Sequence, residues 1–226
     1  MDQSSEQEWY KNYYSEICTS GKPGSFSTRL LHKSIERPFK TNQSFTILEV
    51  GANRGEHLPF VTSDFEKYVL SDLILPTNQL ACVNDNRISF RVANVQQLPF
   101  EDLSFDRVIA TCLFLHLENP ILALHEIRRV TKKGGCFSLL LPHDPGIMYR
   151  SVRRLTSLRK AKKFGVLNEA KYVHAIAHRN HFLSLKEIIK HQCTKDDISI
   201  EAFPFSFSTY DFNLFSVIHI WKSKRA

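Results

Sequence analysis

The chain has 226 residues, enough for one large domain with a modest addition, and a core of that size needs no disulfide or metal to hold it. Apolar residues make up 42% and charged residues 23%, which excludes a disordered chain, and no run approaches the roughly 20 apolar residues of a membrane span. Thirty basic against 23 acidic residues give a net charge of +7, compatible with nucleic acid, anionic lipid or an acidic metabolite and unable to choose among them.

The first residues, MDQSSEQEWYKNYY, are polar and lack the basic and apolar regions of a secretory signal. Cys18, Cys82, Cys112, Cys136 and Cys193 are odd in number and include no CxxC pair, so reduced thiols and a cytoplasmic setting are expected. Residues 1–40 read as a helical segment carrying Trp9, Tyr10, Tyr13 and Tyr14, expected as a lid over the remaining domain, 41–226. Apolar runs then follow at 45–51, 67–73, 88–95, 105–114, 136–142, 198–205 and 213–222, each read as a strand. Between the fourth and fifth, Ile121, Leu124, Ile127 and Val130 recur on one helical face. Asn119-Pro120 marks the start of that helix and Lys132-Lys133-Gly134-Gly135 its expected end. Alternation of strands and helices implies a doubly wound, mostly parallel seven-stranded sheet with helices on both faces. The short link 206–212 makes the last two strands an antiparallel hairpin. Residues 145–175 form a basic helical insertion after the fifth strand.

Chemistry concentrates where strands end. Glu49-Val50-Gly51-Ala52-Asn53-Arg54-Gly55 is expected to turn the first strand into a helix, at the place where open α/β sheets bind ligands. Gly51 and Gly55 let backbone approach a ligand, but Asn53 and Glu56 break the G-x-G-x-x-G dinucleotide fingerprint, which argues against a nicotinamide dehydrogenase. Asp72 ends the second strand 21 residues after Gly51, where a carboxylate accepts ribose hydroxyls. Asn94-Val95 ends the third, and the Asn94 amide oxygen can accept a hydrogen bond. Phe105-Asp106-Arg107-Val108 and Thr111 build and close the fourth.

In this order the motifs resemble the class I S-adenosylmethionine-dependent methyltransferases, near the subgroup acting on quinones, sterols and natural products. The resemblance covers residues 45–142. It implies a Rossmann-like methyltransferase fold, S-adenosylmethionine as cofactor, and cofactor contacts from Glu49, Gly51, Asn53, Gly55, Asp72, Asn94, Val95 and Thr111. Asn53 stands where the family usually has Gly and Asn94 where it has Asp; Asn tolerates left-handed backbone, so the loop survives the first exchange.

The acceptor is expected beyond the fifth strand, with His143 or His181 as base. No metal is required by the reaction, and His178-x-x-His181 lacks a defined third ligand. Arg150, Arg153, Arg154, Arg159, Lys160, Lys162 and Lys163 have no acid among them. They predict a lid or peripheral membrane contact over 147–163, serving a small or lipid-like, anionic acceptor methylated on O or N. Few aromatics interleave with this charge, which disfavours nucleic acid. The alternatives are an RNA or protein methyltransferase and a non-catalytic cofactor-binding partner subunit.

Overall fold

A computed structural model describes residues 13, 17, 26–39, 43–75, 85–206 and 209–224. One seven-stranded sheet organises them, in the order β3-β2-β1-β4-β5-β7-β6. Its strands are β1 (Ser44–Val50), β2 (Asp64–Asp72), β3 (Ile88–Val92), β4 (Phe105–Thr111), β5 (Thr131–Pro142), β6 (Asp197–Phe203) and β7 (Phe215–Trp221). The first five run parallel, while β7 pairs antiparallel with both β5 and β6. All seven expected strands and the closing hairpin are present.

Six helices are described: α1 (Phe26–Ile35), α2 (Pro120–Val130), α3 (Ile147–Leu155), α4 (Ser157–Lys163), α5 (Leu167–Ala177) and α6 (Phe182–Gln192). The central strands are apolar on both sides because both faces are covered. Leu48, Val50, Val108, Ala110 and Phe137 meet α2 and α6 through Leu124, Ile127, Leu185 and Ile189. Ile47, Tyr68, Leu70 and Ile109 face the other way and receive Ile35 from α1. Helix α1 is therefore part of the sheet's cover. Trp9, Tyr10 and Tyr14 lie outside the described residues. Tyr13 meets Phe164 at 6.1 Å between ring centroids, and Ile17 is buried with Ala161, Ala170 and Val173 in a small separate core under the insertion.

Two local expectations are corrected. The Gly51 loop does not open a long helix: residues 51–63 hold a single 3-10 turn, Leu58–Phe60. Only about a dozen residues separate β1 from β2, the short end of what a parallel crossover needs. Helix α2 stops at Val130, and Lys132 to Gly135 already belong to β5. Its start is as expected: Asn119 Oδ1 accepts the N–H groups of Ile121 and Leu122, with Pro120 in the first turn.

Candidate active site

Strand order reverses between β1 and β4, so a crevice opens at their carboxyl ends, and the loop after β1 forms its floor. Gly51 (φ +66°) and Asn53 (φ +47°) both take left-handed backbone there. A Cβ on Gly51 would come within 2.9 Å of a Leu113 methyl, so the loop and the segment after β4 approach as only glycine permits. Ala52 N–H donates to Ser71 O at 3.0 Å and Gly55 N–H to Ala52 O at 2.8 Å.

Asp72 holds this loop to β2. One carboxylate oxygen accepts Asn53 N–H at 2.8 Å and the other Leu73 N–H at 2.7 Å. Each oxygen keeps a further lone pair, enough to accept hydroxyl groups from a sugar. Ala93 N–H donates to Asp72 O at 2.9 Å, which brings Asn94 to the same edge. Gly51, Asn53, Gly55, Asp72, Asn94 and Thr111 thus gather at the carboxyl ends of β1 to β4.

Two expected contacts differ. Glu49 is buried on the α1 side of the sheet, where its carboxylate accepts the Tyr68 hydroxyl at 2.8 Å. Burial pushes its pKa up to about 8, which favours the neutral acid, and its side-chain hydrogen bond goes to Tyr68. Val95 is buried in the core and offers the crevice only its backbone. Asn94 Oδ1 already accepts Gln96 N–H at 2.9 Å, leaving one lone pair for a ligand. The apolar run 67–73 puts Leu73 at the end of the second strand, and no role was expected of Ile74. They are 64% and 76% exposed directly after Asp72, an apolar surface at the edge of the crevice. The signal was the apolar run Leu73-Ile74-Leu75 where a loop should be polar.

Beyond β5 the histidines sort differently from expectation. His143 is buried against Phe182 and Tyr210; Nδ1 donates to Tyr210 O at 2.9 Å and Nε2 accepts from the Ser216 hydroxyl at 2.8 Å. With both nitrogens engaged it ties β5 to β7 and the 3-10 turn at Tyr210, and it has no site left for a substrate proton. His181 is exposed at the start of α6, and its side chain makes no capping bond. The polar centre is instead Asp144, 5% exposed, whose Oδ2 meets His174 Nε2 at 2.9 Å and His178 Nδ1 at 2.7 Å. Those two imidazoles hold its carboxyl below the usual carboxylate range. Asn180 clips this corner to the segment after β4, donating to Phe114 O and Leu117 O, and His116 packs edge-on against His178. The i, i+4 spacing of His174 and His178 was the overlooked sequence signal.

Cys112, with its thiol pushed up to about 12 by burial, is no nucleophile. Helices α3 and α4 carry the basic insertion, and a groove of about 450 Å³ between them is lined by Ile147, Arg150, Ser151, Arg153, Arg154 and Leu158.

Residues 48–139 match the methyltransferase domain family. An uncharacterized methyltransferase of Schizosaccharomyces pombe is 31% identical over 156 residues, 60% of this chain and 52% of that one. The demethylmenaquinone methyltransferase of Protochlamydia amoebophila is 27% identical over 43% of this chain and 44% of its own. The chain thus spans about half the length of these relatives. Among solved structures, a chain of the complex between the Haloferax volcanii Trm112 methyltransferase activator and a methyltransferase superposes with a TM-score of 0.63, at 15% identity over 97% of this chain and 98% of that one. The Haemonchus contortus phosphoethanolamine N-methyltransferase 2, solved with S-adenosyl-L-methionine, superposes with a TM-score of 0.59 at 18% identity, over 96% of this chain and 60% of its own. No described helix is long and apolar enough to cross a membrane. The matched residues 48–139, the strand order and the glycine loop beside Asp72 together identify a class I S-adenosylmethionine-dependent methyltransferase domain within this chain.

Proposed function

We propose that the chain transfers a methyl group from S-adenosylmethionine to an oxygen or nitrogen atom of an anionic acceptor that is small or lipid-like. The crevice fits the donor: Asp72 offers carboxylate lone pairs for the ribose, Leu73 and Ile74 an apolar face for the adenine, Asn94 a polar edge, and the Gly51 loop close backbone approach. The bound donor supplies an electrophilic methyl on sulfur. The chain's own task is to align an acceptor in line with it and to exclude water.

The observation that carries the acceptor class is the groove between α3 and α4. Three arginines line it beside Ile147 and Leu158, and it follows directly on β5 and the Asp144 corner. Ile147, Val152 and Leu155 are exposed on the same helix, at 53%, 40% and 71%. Cations mixed with bare aliphatic groups suit an anionic head on an apolar body.

The test is transfer of labelled methyl from S-adenosylmethionine to anionic lipid vesicles and to soluble phosphorylated alcohols and amines, at low and high salt. Labelling of one of these sets, weakened by salt and by joint replacement of Arg150, Arg153 and Arg154 with Gln, is expected. Vesicles alone would mark a lipid acceptor, soluble phosphates alone a small one. Label passing only to RNA or protein, or only to neutral acceptors with the triple variant unaffected, overturns the reading. Cofactor binding without transfer to any of these would make the chain a non-catalytic partner.

A further inference from the structure

Asp144, His174 and His178 come from two distant parts of the chain and converge on one point. Asp144 sits just past β5, whereas His174 and His178 stand one turn apart at the end of α5. Two imidazole nitrogens and one carboxylate oxygen lie within 4.8 Å of one another, all on largely buried side chains. The carboxylate is 7% exposed and the two imidazoles 19% and 14%. The rings of His174 and His178 pack against each other, 3.9 Å apart at their centroids. His116 covers the far side of His178 and is fixed in turn by Ala177 O, at 3.0 Å from its Nδ1.

We propose that Asp144 Oδ2, His174 Nε2 and His178 Nδ1 bind a divalent transition metal of the zinc class. Two imidazoles and one carboxylate are a donor set that such ions take, while magnesium and calcium prefer all-oxygen sites. Tetrahedral ligands about 2.1 Å from a metal lie roughly 3.4 Å apart. The present separations of 2.9 and 2.7 Å therefore need to open by only about half an ångström, a change within reach of side-chain rotation. On binding, each imidazole carries its proton on the ring nitrogen away from the metal. Three protein ligands leave a fourth position, at the carboxyl end of β5. In the anionic-acceptor reading above, on which this last step rests, that position takes an oxygen of the acceptor and fixes it next to the donor crevice.

The experiment uses the full chain, stripped with chelator and titrated with Zn²⁺ by calorimetry and with Co²⁺ by visible absorption. One equivalent should bind, and Co²⁺ should develop the intense d–d bands of a tetrahedral site. His174→Ala, His178→Ala and Asp144→Asn should each weaken binding by at least about tenfold, while His181→Ala leaves it unchanged. Mg²⁺ should not compete. Affinity for S-adenosylhomocysteine, measured on the same samples, shows whether each variant is folded and tests the donor site separately. Absence of a Co²⁺ band in the wild type overturns the proposal. So does metal binding that survives all three replacements, since other histidines would then hold the ion.

Discussion

Arg107, in the middle of β4, donates two hydrogen bonds to Glu36, just past α1, at 2.6 Å to Oε1 and 3.0 Å to Oε2. Neither residue is exposed. The guanidinium also lies 3.6 Å above the Phe39 ring. Glu36 accepts from His57 Nε2 at 2.8 Å and Thr62 N–H at 3.1 Å as well, so the β1–β2 loop hangs on the same carboxylate. One buried acid therefore joins the end of α1, the sheet and the β1–β2 loop.

Removing either partner leaves a buried charge without its counter-ion. Arg107→Leu and Glu36→Gln are each expected to cost about 3–5 kcal/mol. The double variant should cost less than the two summed, because it removes both charges together. Urea unfolding of the four proteins measures the coupling; strict additivity would mean the pair is not energetically linked.

Acid should unfold the protein early. Burial pushes His32 down to about 3 and lowers His57, while its donors lower Glu36 to about 2. All three bind protons more weakly folded than unfolded. The histidine contribution is complete above the ordinary imidazole pKa of 6.5 and is lost as pH falls towards 3. Glu36 adds its share above 4.5 and loses it as pH falls through about 2. Glu49, raised to about 8, acts in the opposite sense: its contribution is full below 4.5 and fades as pH rises to 8. Urea midpoints should therefore drop from about pH 6.5 downward. His32→Phe should flatten that slope, and equal midpoints at neutral and mildly acid pH would contradict it.

Asp72→Ala should weaken S-adenosylhomocysteine binding by roughly 1.5–3 kcal/mol, since it deletes charged acceptors and frees the Asn53 loop. Gly51→Ala should weaken it too and also lower stability, because the new methyl strains a positive φ and meets Leu113. Calorimetry and thermal melts separate the two effects. Asp72→Ala with wild-type affinity would take Asp72 out of the site.

His143→Ala should behave as a packing variant, losing about 2–3 kcal/mol of stability through two broken hydrogen bonds and a cavity between Phe182 and Tyr210. S-adenosylhomocysteine affinity should stay as it is. A variant of wild-type stability with lost methyl transfer would restore His143 as a base.

What the chain disclosed before folding follows from range. Strand runs such as 45–51 are local, because burial on both faces demands continuous apolar residues, and Gly51 and Asp72 fall at strand ends that those runs already mark. His143 looked catalytic because a loop histidine after a strand has no visible partner; Tyr210 and Ser216, which occupy it, are more than 60 residues away. Asp144 and His178, 34 positions apart, have no spacing rule to connect them. Glu49 carried the acidic signature of a ligand contact, and only the packing of Tyr68 shows that it points away from the crevice.

The single 3-10 turn after β1 also changes how charge is presented at the crevice. A helix of several turns starting there would aim unpaired N–H groups and a macrodipole at an anionic end of a ligand. One turn sums almost no dipole, and the first N–H groups of this loop are already spent on Ser71 O, Ala52 O and Asp72. The cation nearest this loop is the exposed Arg54, which ions in solution screen and whose field is partly met by Glu56 beside it. The loop after β1 therefore offers a ligand close backbone contact without a helix dipole behind it.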